Sequence, residues 1–183
     1  MFEDNVDLMS DFMDFMQIII CALIAIGTFL LWEGVAWFTH KYIMHGILWT
    51  WHKSHHTVHD HKFEKNDLFA VVFSLPSIAL FYYYSRIEYN PYMLAIGFGI
   101  FCYGVFYLVF HDIIVHQRLK WRPQKQSRYL QRMIHAHYIH HRKHSKHGCE
   151  AFGFLYAPRK YSPKNFTFRS VRKDSHGERS ETS

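Results

Sequence analysis

HKYIMHGILWTWHKSHH, residues 40–56, decides how this 183-residue chain is read. It runs H-x4-H, six residues, then H-x2-H-H. The same order returns as HDIIVH (111–116) and HYIHH (137–141), now twenty residues apart. Ten of the 16 histidines thus fall into two copies of one pattern: His40, His45, His52, His55 and His56, then His111, His116, His137, His140 and His141. On an α-helix positions i, i+3 and i+4 share a face, so each triplet is expected to point one way and to be able to close on one ion. An i, i+5 pair is separated by roughly 140°. His40 and His45, or His111 and His116, therefore cannot lie side by side on a regular helix; they need a fraying helix end or two different targets. Ten imidazoles exceed what one first-row metal accepts and suit two. The other histidines, His59, His61, His135, His144, His147 and His176, read as ordinary exposed or hydrogen-bonded residues, with His135 abutting the last triplet.

The mean hydropathy of −0.16 reads as soluble, but only because polar ends dilute three segments, 16–38, 68–84 and 92–110, that are apolar enough to cross a bilayer. Charge follows the same division. Residues 1–39 hold no Lys or Arg, 16 of the 21 basic residues follow His111, and Lys41, Lys53, Lys62 and Lys65 lie between the first two segments. Arg86 alone lies between the second and third. This positive-inside asymmetry explains the net charge of +6 without nucleic acid and puts both histidine stretches in the cytoplasm, which requires the even number of crossings between them. Cys21, Cys102 and Cys149 define no disulfide framework, and the acidic amino terminus lacks the basic region of a signal peptide. The expected fold is an all-α integral membrane protein with three transmembrane helices, or four if residues 1–15 or 148–158 add one, and a cytoplasmic histidine-rich di-metal helical cap. It reads as one domain over 1–183: an extracytoplasmic acidic segment at 1–15 able to form a short interfacial helix, a catalytic core at 16–158 and a mobile basic tail at 159–183.

Further residues gather around this plan. Glu33 is an acid inside a spanning segment, hence a functional candidate. It precedes His40 by two helical turns, so it either orients a ligand imidazole or merely reaches the interface. Asn66, Asp67 and Asp112 are further candidates for orienting ligands, Asp67 also as the N-cap of the second span. Pro76 is expected to kink that span, and Asn90-Pro91 to start the third. Trp49 and Trp51 fit either an aromatic belt or packing around the histidines. Residues 117–147 read as a basic helix carrying the last triplet. GCEAFGFLYAP (148–158) is too short to span and reads either as a piece covering the site or as ordinary packing.

Zinc sites use about three or four ligands, often with thiolate, and soluble di-iron bundles use carboxylates with Glu-x-x-His pairs, which this chain lacks. A nitrogen-rich pair of iron ions activating dioxygen fits better. HKYIMH, HKSHH, FEKNDLFAVVF, HDIIVH, HAHYIHH and CEAFGFLYAP resemble the corresponding segments of bacterial β-carotene hydroxylases, members of the fatty acid hydroxylase superfamily, over roughly residues 30–158. The histidine boxes alone indicate the superfamily; the words around them point to its carotenoid branch.

The resemblance implies a multi-pass enzyme of the bacterial cytoplasmic membrane, a non-haem di-iron monooxygenase that hydroxylates carbon 3 of the β-ionone rings of β-carotene. Similar enzymes also accept 4-keto rings. Electrons would come from ferredoxin and an NAD(P)H-dependent reductase, and the carotenoid from the surrounding membrane lipid. Carbon 4 is allylic and has the weaker C–H bond, so selectivity for carbon 3 must come from positioning. Trp32, Trp37, Phe38 and Phe110 are candidates for lining a substrate slot. The competing readings are an acyl-chain or sterol hydroxylase or desaturase of the same superfamily, and a non-catalytic membrane metal-binding protein.

Overall fold

The computed structural model describes residues 2–57, 63–119, 121, 123 and 126–164, with side chains from residue 10 onward. His59, His61, Lys62 and His176 lie outside the described residues, as does the tail beyond residue 164. Everything described is helix or irregular chain, with no strand. The helices are α1 (Phe2–Phe38), α2 (Trp49–His52), α3 (Asp67–Arg86), α4 (Pro91–Tyr107) and α5 (Arg128–His141). Two π-helices, Thr39–Ile47 and Leu108–Val115, extend α1 and α4, and 3-10 turns occupy Lys53–His56 and Arg159–Tyr161.

Among the described residues three stretches are long and apolar enough to cross a membrane: Ser10–Ile47, Asp67–Arg86 and Pro91–Val115. The separate amino-terminal helix expected over 1–15 is not formed, because the backbone stays helical from Phe2 straight into the first apolar segment. Residues 148–158 are irregular and add no fourth span. α4 starts as its sequence dictates: Asn90 Oδ1 accepts the Tyr92 and Met93 amides at 3.1 and 3.2 Å, and Pro91 fills the first helical position. α3 continues across Pro76.

The chain divides into two compact units. The first, Met1–Trp32 with Val72–Gly104, holds most of the apolar helix. Its packing rests on small residues of α4. A Cβ on Gly97 would meet Leu80 Cβ at 3.0 Å, and one on Gly99 would meet the Ala25 carbonyl at 2.5 Å. Two residues apart is roughly 200° around a helix, so these glycines admit α3 on one side and α1 on the other, as small residues do between membrane helices. Phe29 and Tyr103 meet edge to face at 5.6 Å. Leu23, Leu30, Leu31 and Ile78 are more than half exposed, the surface lipid would cover.

The second unit, Glu33–Val71 with Val105–Ser183, contains all the patterned histidines. Its six most deeply buried large side chains are Met133, Ile134, His52, His111, His137 and His140. A core made mainly of imidazole is costly unless every ring nitrogen finds a partner. Around it the chain departs from the expected plan. α5 is shorter than the helix expected over 117–147; it is preceded by irregular chain with Gln117 at φ 55° and capped by Ser127, whose Oγ accepts the Leu130 amide at 3.2 Å. Asp67 opens α3, but its Oδ2 accepts the Glu64 amide of the preceding turn at 3.0 Å. Nor is the whole of 159–183 loose tail. Tyr161 is buried; its hydroxyl donates to Glu150 Oε2 at 2.7 Å and its carbonyl accepts His135 Nδ1–H at 2.7 Å, so His135 is hydrogen-bonded outside the cluster.

Candidate metal centre

The two H-x4-H pairs sit where the backbone stops being α-helical. A π-turn closes hydrogen bonds between residues five apart instead of four, and both pairs occupy such turns. The Leu48 amide donates to the Ile43 carbonyl at 2.9 Å, and the His116 amide to the His111 carbonyl at 2.9 Å. Widening brings the pairs together, with ring centroids 5.3 Å apart for His40 and His45 and 4.5 Å for His111 and His116. The expectation that residues five apart need a frayed end or separate targets is thus corrected: the helix changes type, and each pair shares one target.

The triplets are corrected in the opposite direction. Neither closes on a single point. One group brings together ligand atoms of His40, His45, His52, His56 and His140; the other, those of His55, His111, His116, His137 and His141; within each group these atoms lie within 4.8 Å of one another. The i, i+4 members of a triplet stay with their own half, and the i+3 member, His55 or His140, crosses to the other group. α2 and the 3-10 turn aim the first triplet, α5 the second.

Ring tautomers identify what these groups can bind. In the first group every Nδ1–H donates to an oxygen: His40 to Phe152 O at 2.9 Å, His45 to Lys146 O at 3.3 Å, His52 to Asn66 Oδ1 at 2.7 Å, His56 to Lys143 O at 2.9 Å and His140 to Glu150 O at 2.8 Å. A neutral ring with its proton on Nδ1 carries a lone pair on Nε2. The Nε2 atoms then face one another, His40 to His52 at 3.2 Å, His56 to His52 at 3.1 Å and His45 to His140 at 3.1 Å. Lone pairs so close repel unless a cation lies between them, so the donor set fits a metal ion.

In the second group His55 Nδ1–H donates to Glu64 Oε2 at 3.0 Å and His111 Nδ1–H to Asp112 Oδ1 at 2.8 Å, while His55 and His111 Nε2 are 2.9 Å apart. His137 Nδ1 and His141 Nε2 are buried and lack a hydrogen-bond partner. Burial first, and then neighbouring imidazoles, keep the rings neutral: His52 is lowered to about 2, His56 to about 3, and His55, His116, His137, His140 and His141 well below 6.5. Neutral imidazole is the metal-binding form.

The other predicted residues divide. Asn66 and Asp112 hold ring protons directly, as above. Glu33 acts one step away: its Oε1 accepts the amides of Phe154 and Leu155 at 2.7 and 2.9 Å, fixing the segment whose Phe152 carbonyl receives His40. Asp67 pairs with Arg118 at 2.6 Å. Residues 148–158 cover the site. Phe154 stacks on His40 at 5.5 Å, and Phe152 lies 5.3 Å from His45 and 5.1 Å from His140. Trp49 packs 5.2 Å from His45, and Trp51 packs on Phe69. His144 Nδ1–H donates to the His56 carbonyl, and His147 is exposed.

The four slot candidates differ in burial and in neighbours. Trp37 and Phe38 are exposed and pack with Tyr42 at 5.9 and 5.0 Å, with Lys41 Nζ 4.8 Å over Trp37, while Phe110 is buried and stacked on Phe106. Trp32 is half-buried and belongs to the first unit. Sequence reading missed Glu64, Arg118 and the four carbonyls. Glu64 lies in FEKND beside Asn66, but a loop residue has no periodicity to mark its direction.

The chain matches the model of the fatty acid hydroxylase family over residues 25–158. It is 46% identical over 137 residues to the beta-carotene hydroxylase of Pantoea ananas, covering 75% of this chain and 77% of that one. It is 42% identical to the beta-carotene hydroxylase of Paracoccus sp. strain PC1 over 74% of this chain and 83% of that one. With the beta-carotene hydroxylase of Pseudescherichia vulneris the identity is 41%, over 85% of each chain. No solved structure matches the chain significantly. Matched across its patterned histidines, its second span and its third, the chain belongs to the fatty acid hydroxylase family, in the company of bacterial beta-carotene hydroxylases.

Proposed function

We propose that this chain is a β-carotene 3-hydroxylase, a non-haem monooxygenase with two iron ions held by His40, His45, His52, His56 and His140 and by His55, His111, His116, His137 and His141. The observation that carries it is the convergence of ten imidazoles into two groups of five, in a chain 41% to 46% identical to bacterial beta-carotene hydroxylases. Bound there, the iron pair supplies the activation of dioxygen. The protein's own part is to hold the ring protons of His40, His45, His52, His55, His56, His111 and His140 on Nδ1, so that their Nε2 atoms face inward, and to keep water away with Phe152, Phe154 and Trp49. The substrate is a carotenoid in the membrane lipid, and its ring must be presented with carbon 3 forward, since carbon 4 is intrinsically easier to attack. 4-Keto rings are accepted as well.

The site faces the cytoplasm of a bacterial inner membrane, in keeping with the distribution of Lys and Arg. Ferredoxin, served by an NAD(P)H-dependent reductase, delivers electrons. Lys143 and Lys146 suit an acidic donor there: both are exposed, and their carbonyls receive the ring protons of His56 and His45. The second reading, a hydroxylase of acyl chains or sterols, is favoured by the family description alone.

Pigment analysis separates the two. A β-carotene-producing bacterium expressing this chain should accumulate β-cryptoxanthin and zeaxanthin, and the same cells with His137→Ala should keep β-carotene. Unchanged β-carotene in both, with iron-loaded protein in the membrane and a competent donor present, would eliminate β-carotene as the substrate, and a canthaxanthin-producing strain left equally unchanged would eliminate the carotenoid reading.

A further inference from the structure

The two histidine groups differ in what receives their ring protons. In the group built on His40, all five acceptors are neutral oxygens, four backbone carbonyls and the Asn66 amide. In the group built on His111, the two acceptors are carboxylates, Glu64 for His55 and Asp112 for His111. One guanidinium ties these carboxylates together. Arg118 Nη2 lies 3.3 Å from Glu64 Oε1 and 2.6 Å from Asp67 Oδ1, and its Nε lies 3.9 Å from Asp112 Oδ1. Glu64 and Asp112 are largely shielded, with side chains 14% and 17% exposed, while Arg118 reaches them from the surface. Glu64, Asp67 and Asp112 thus gather around one guanidinium on this side of the site, and no carboxylate receives a ring proton on the other.

We infer that the two metal positions are electronically inequivalent, and that Glu64 and Asp112, aligned by Arg118, make the His55/His111 group the one that favours the more highly charged ion. A carboxylate accepting Nδ1–H draws the proton toward itself and raises the donor strength of Nε2. Its charge, acting across one imidazole in a poorly screened interior, also stabilises added positive charge at the ion. A carbonyl does the first weakly and the second hardly at all. Glu64, Asp112 and Arg118 are positioning residues on this account, since they act through His55 and His111. The inference rests on the two-metal reading above.

The test uses the full-length protein in detergent or lipid, loaded with iron-57 under reducing conditions, and reads iron content and Mössbauer spectra during titration with ferricyanide, each ferrous ion giving one electron to one ferricyanide. The parent protein should show two ferrous signals of equal area, one of which is oxidised first. Glu64→Gln and Asp112→Asn should delay oxidation of that same signal and weaken retention of its iron about tenfold or more, leaving the other signal in place. Asn66→Asp, which puts a carboxylate opposite His52 Nδ1, should instead make the second signal easier to oxidise and narrow the gap. If one of the carboxamide variants fails to load, the other and Asn66→Asp carry the same test. Two irons oxidised together in the parent, or variants that move both signals alike, would overturn the inference while sparing the two-metal reading. Fewer than two irons bound by the parent would overturn both.

Discussion

Residues 40–56 and 111–141 make the same offer in different settings. Each begins with a π-turn that pairs histidines five apart, continues to an H-x2-H-H triplet, and lends the i+3 member of that triplet to the other half. The donor set is therefore close to symmetric under exchange of halves. What holds the donors is not. His40, His45 and His56 of the first half depend on carbonyls between residues 143 and 152, supplied from far along the chain, whereas His111 of the second half leans on its sequence neighbour Asp112. A repeat in ligand spacing can thus coexist with a site whose two sides respond differently to damage.

The crossing residues break this comparison most sharply. His140→Ala removes a donor from the group built on His40 although it lies in the second half, and His55→Ala does the reverse. Under the two-iron reading each should bring bound iron down from two toward one per chain and lower hydroxylation at least about a hundredfold, read by metal analysis and product formation. If His140→Ala behaved like His137→Ala in which iron it loses, judged by the Mössbauer signal that disappears, the interleaving would be wrong.

Acid should act next, and reversibly. The folded state keeps His52 and His56 neutral down to about 2 and about 3, against an ordinary 6.5. Above 6.5 the difference costs nothing. As pH falls below 6.5 the unfolded chain takes up protons that the folded chain refuses, and metal-free protein should lose about 1.4 kcal/mol per pH unit for each such histidine. Thermal unfolding of metal-free and iron-loaded protein between pH 7.5 and 5.5 checks this, with the loaded form the more resistant because bound metal competes with protons.

The smallest effect separates the two sides again. Glu33→Gln replaces a carboxylate accepting two amides by a weaker, neutral acceptor, at a cost of about 1 kcal/mol, and loosens Phe152 beneath His40. Iron should be lost a few-fold faster from the His40 group and not from the His111 group. Equal loss from both would show that the clasp on residues 154 and 155 supports the unit as a whole.

Much of this was legible in the sequence, for identifiable reasons. Apolar runs of about twenty residues have few fates, so the three spans were readable, as were the cap at Asn90 and the membership of all ten histidines in two deep clusters. Which histidine joins which cluster was not. Periodicity assigns faces on an ideal α-helix, and both H-x4-H pairs lie in π-turns, while the splitting of His55 from His52 and His56 depends on where the opposite half delivers its rings. Glu33 was legible as an acid out of place, but not as a clasp for residues 154 and 155, because its partners are amides, which every residue carries. The roles of Glu64 and Arg118 depend on loops that no repeat marks.

The exchange of His55 and His140 also has a consequence for the order in which the molecule is made. His45 and His140 meet at their Nε2 atoms across a separation of 95 residues. A chain emerging from the ribosome has four donors of the first group once His56 is out, but the fifth arrives only with α5, and the carbonyls of Lys143, Lys146 and Phe152 that set three of its tautomers come later still. Under the two-metal reading neither ion can be fully seated during synthesis. Loading to completion waits until α5 and the chain out to Phe152 have been made.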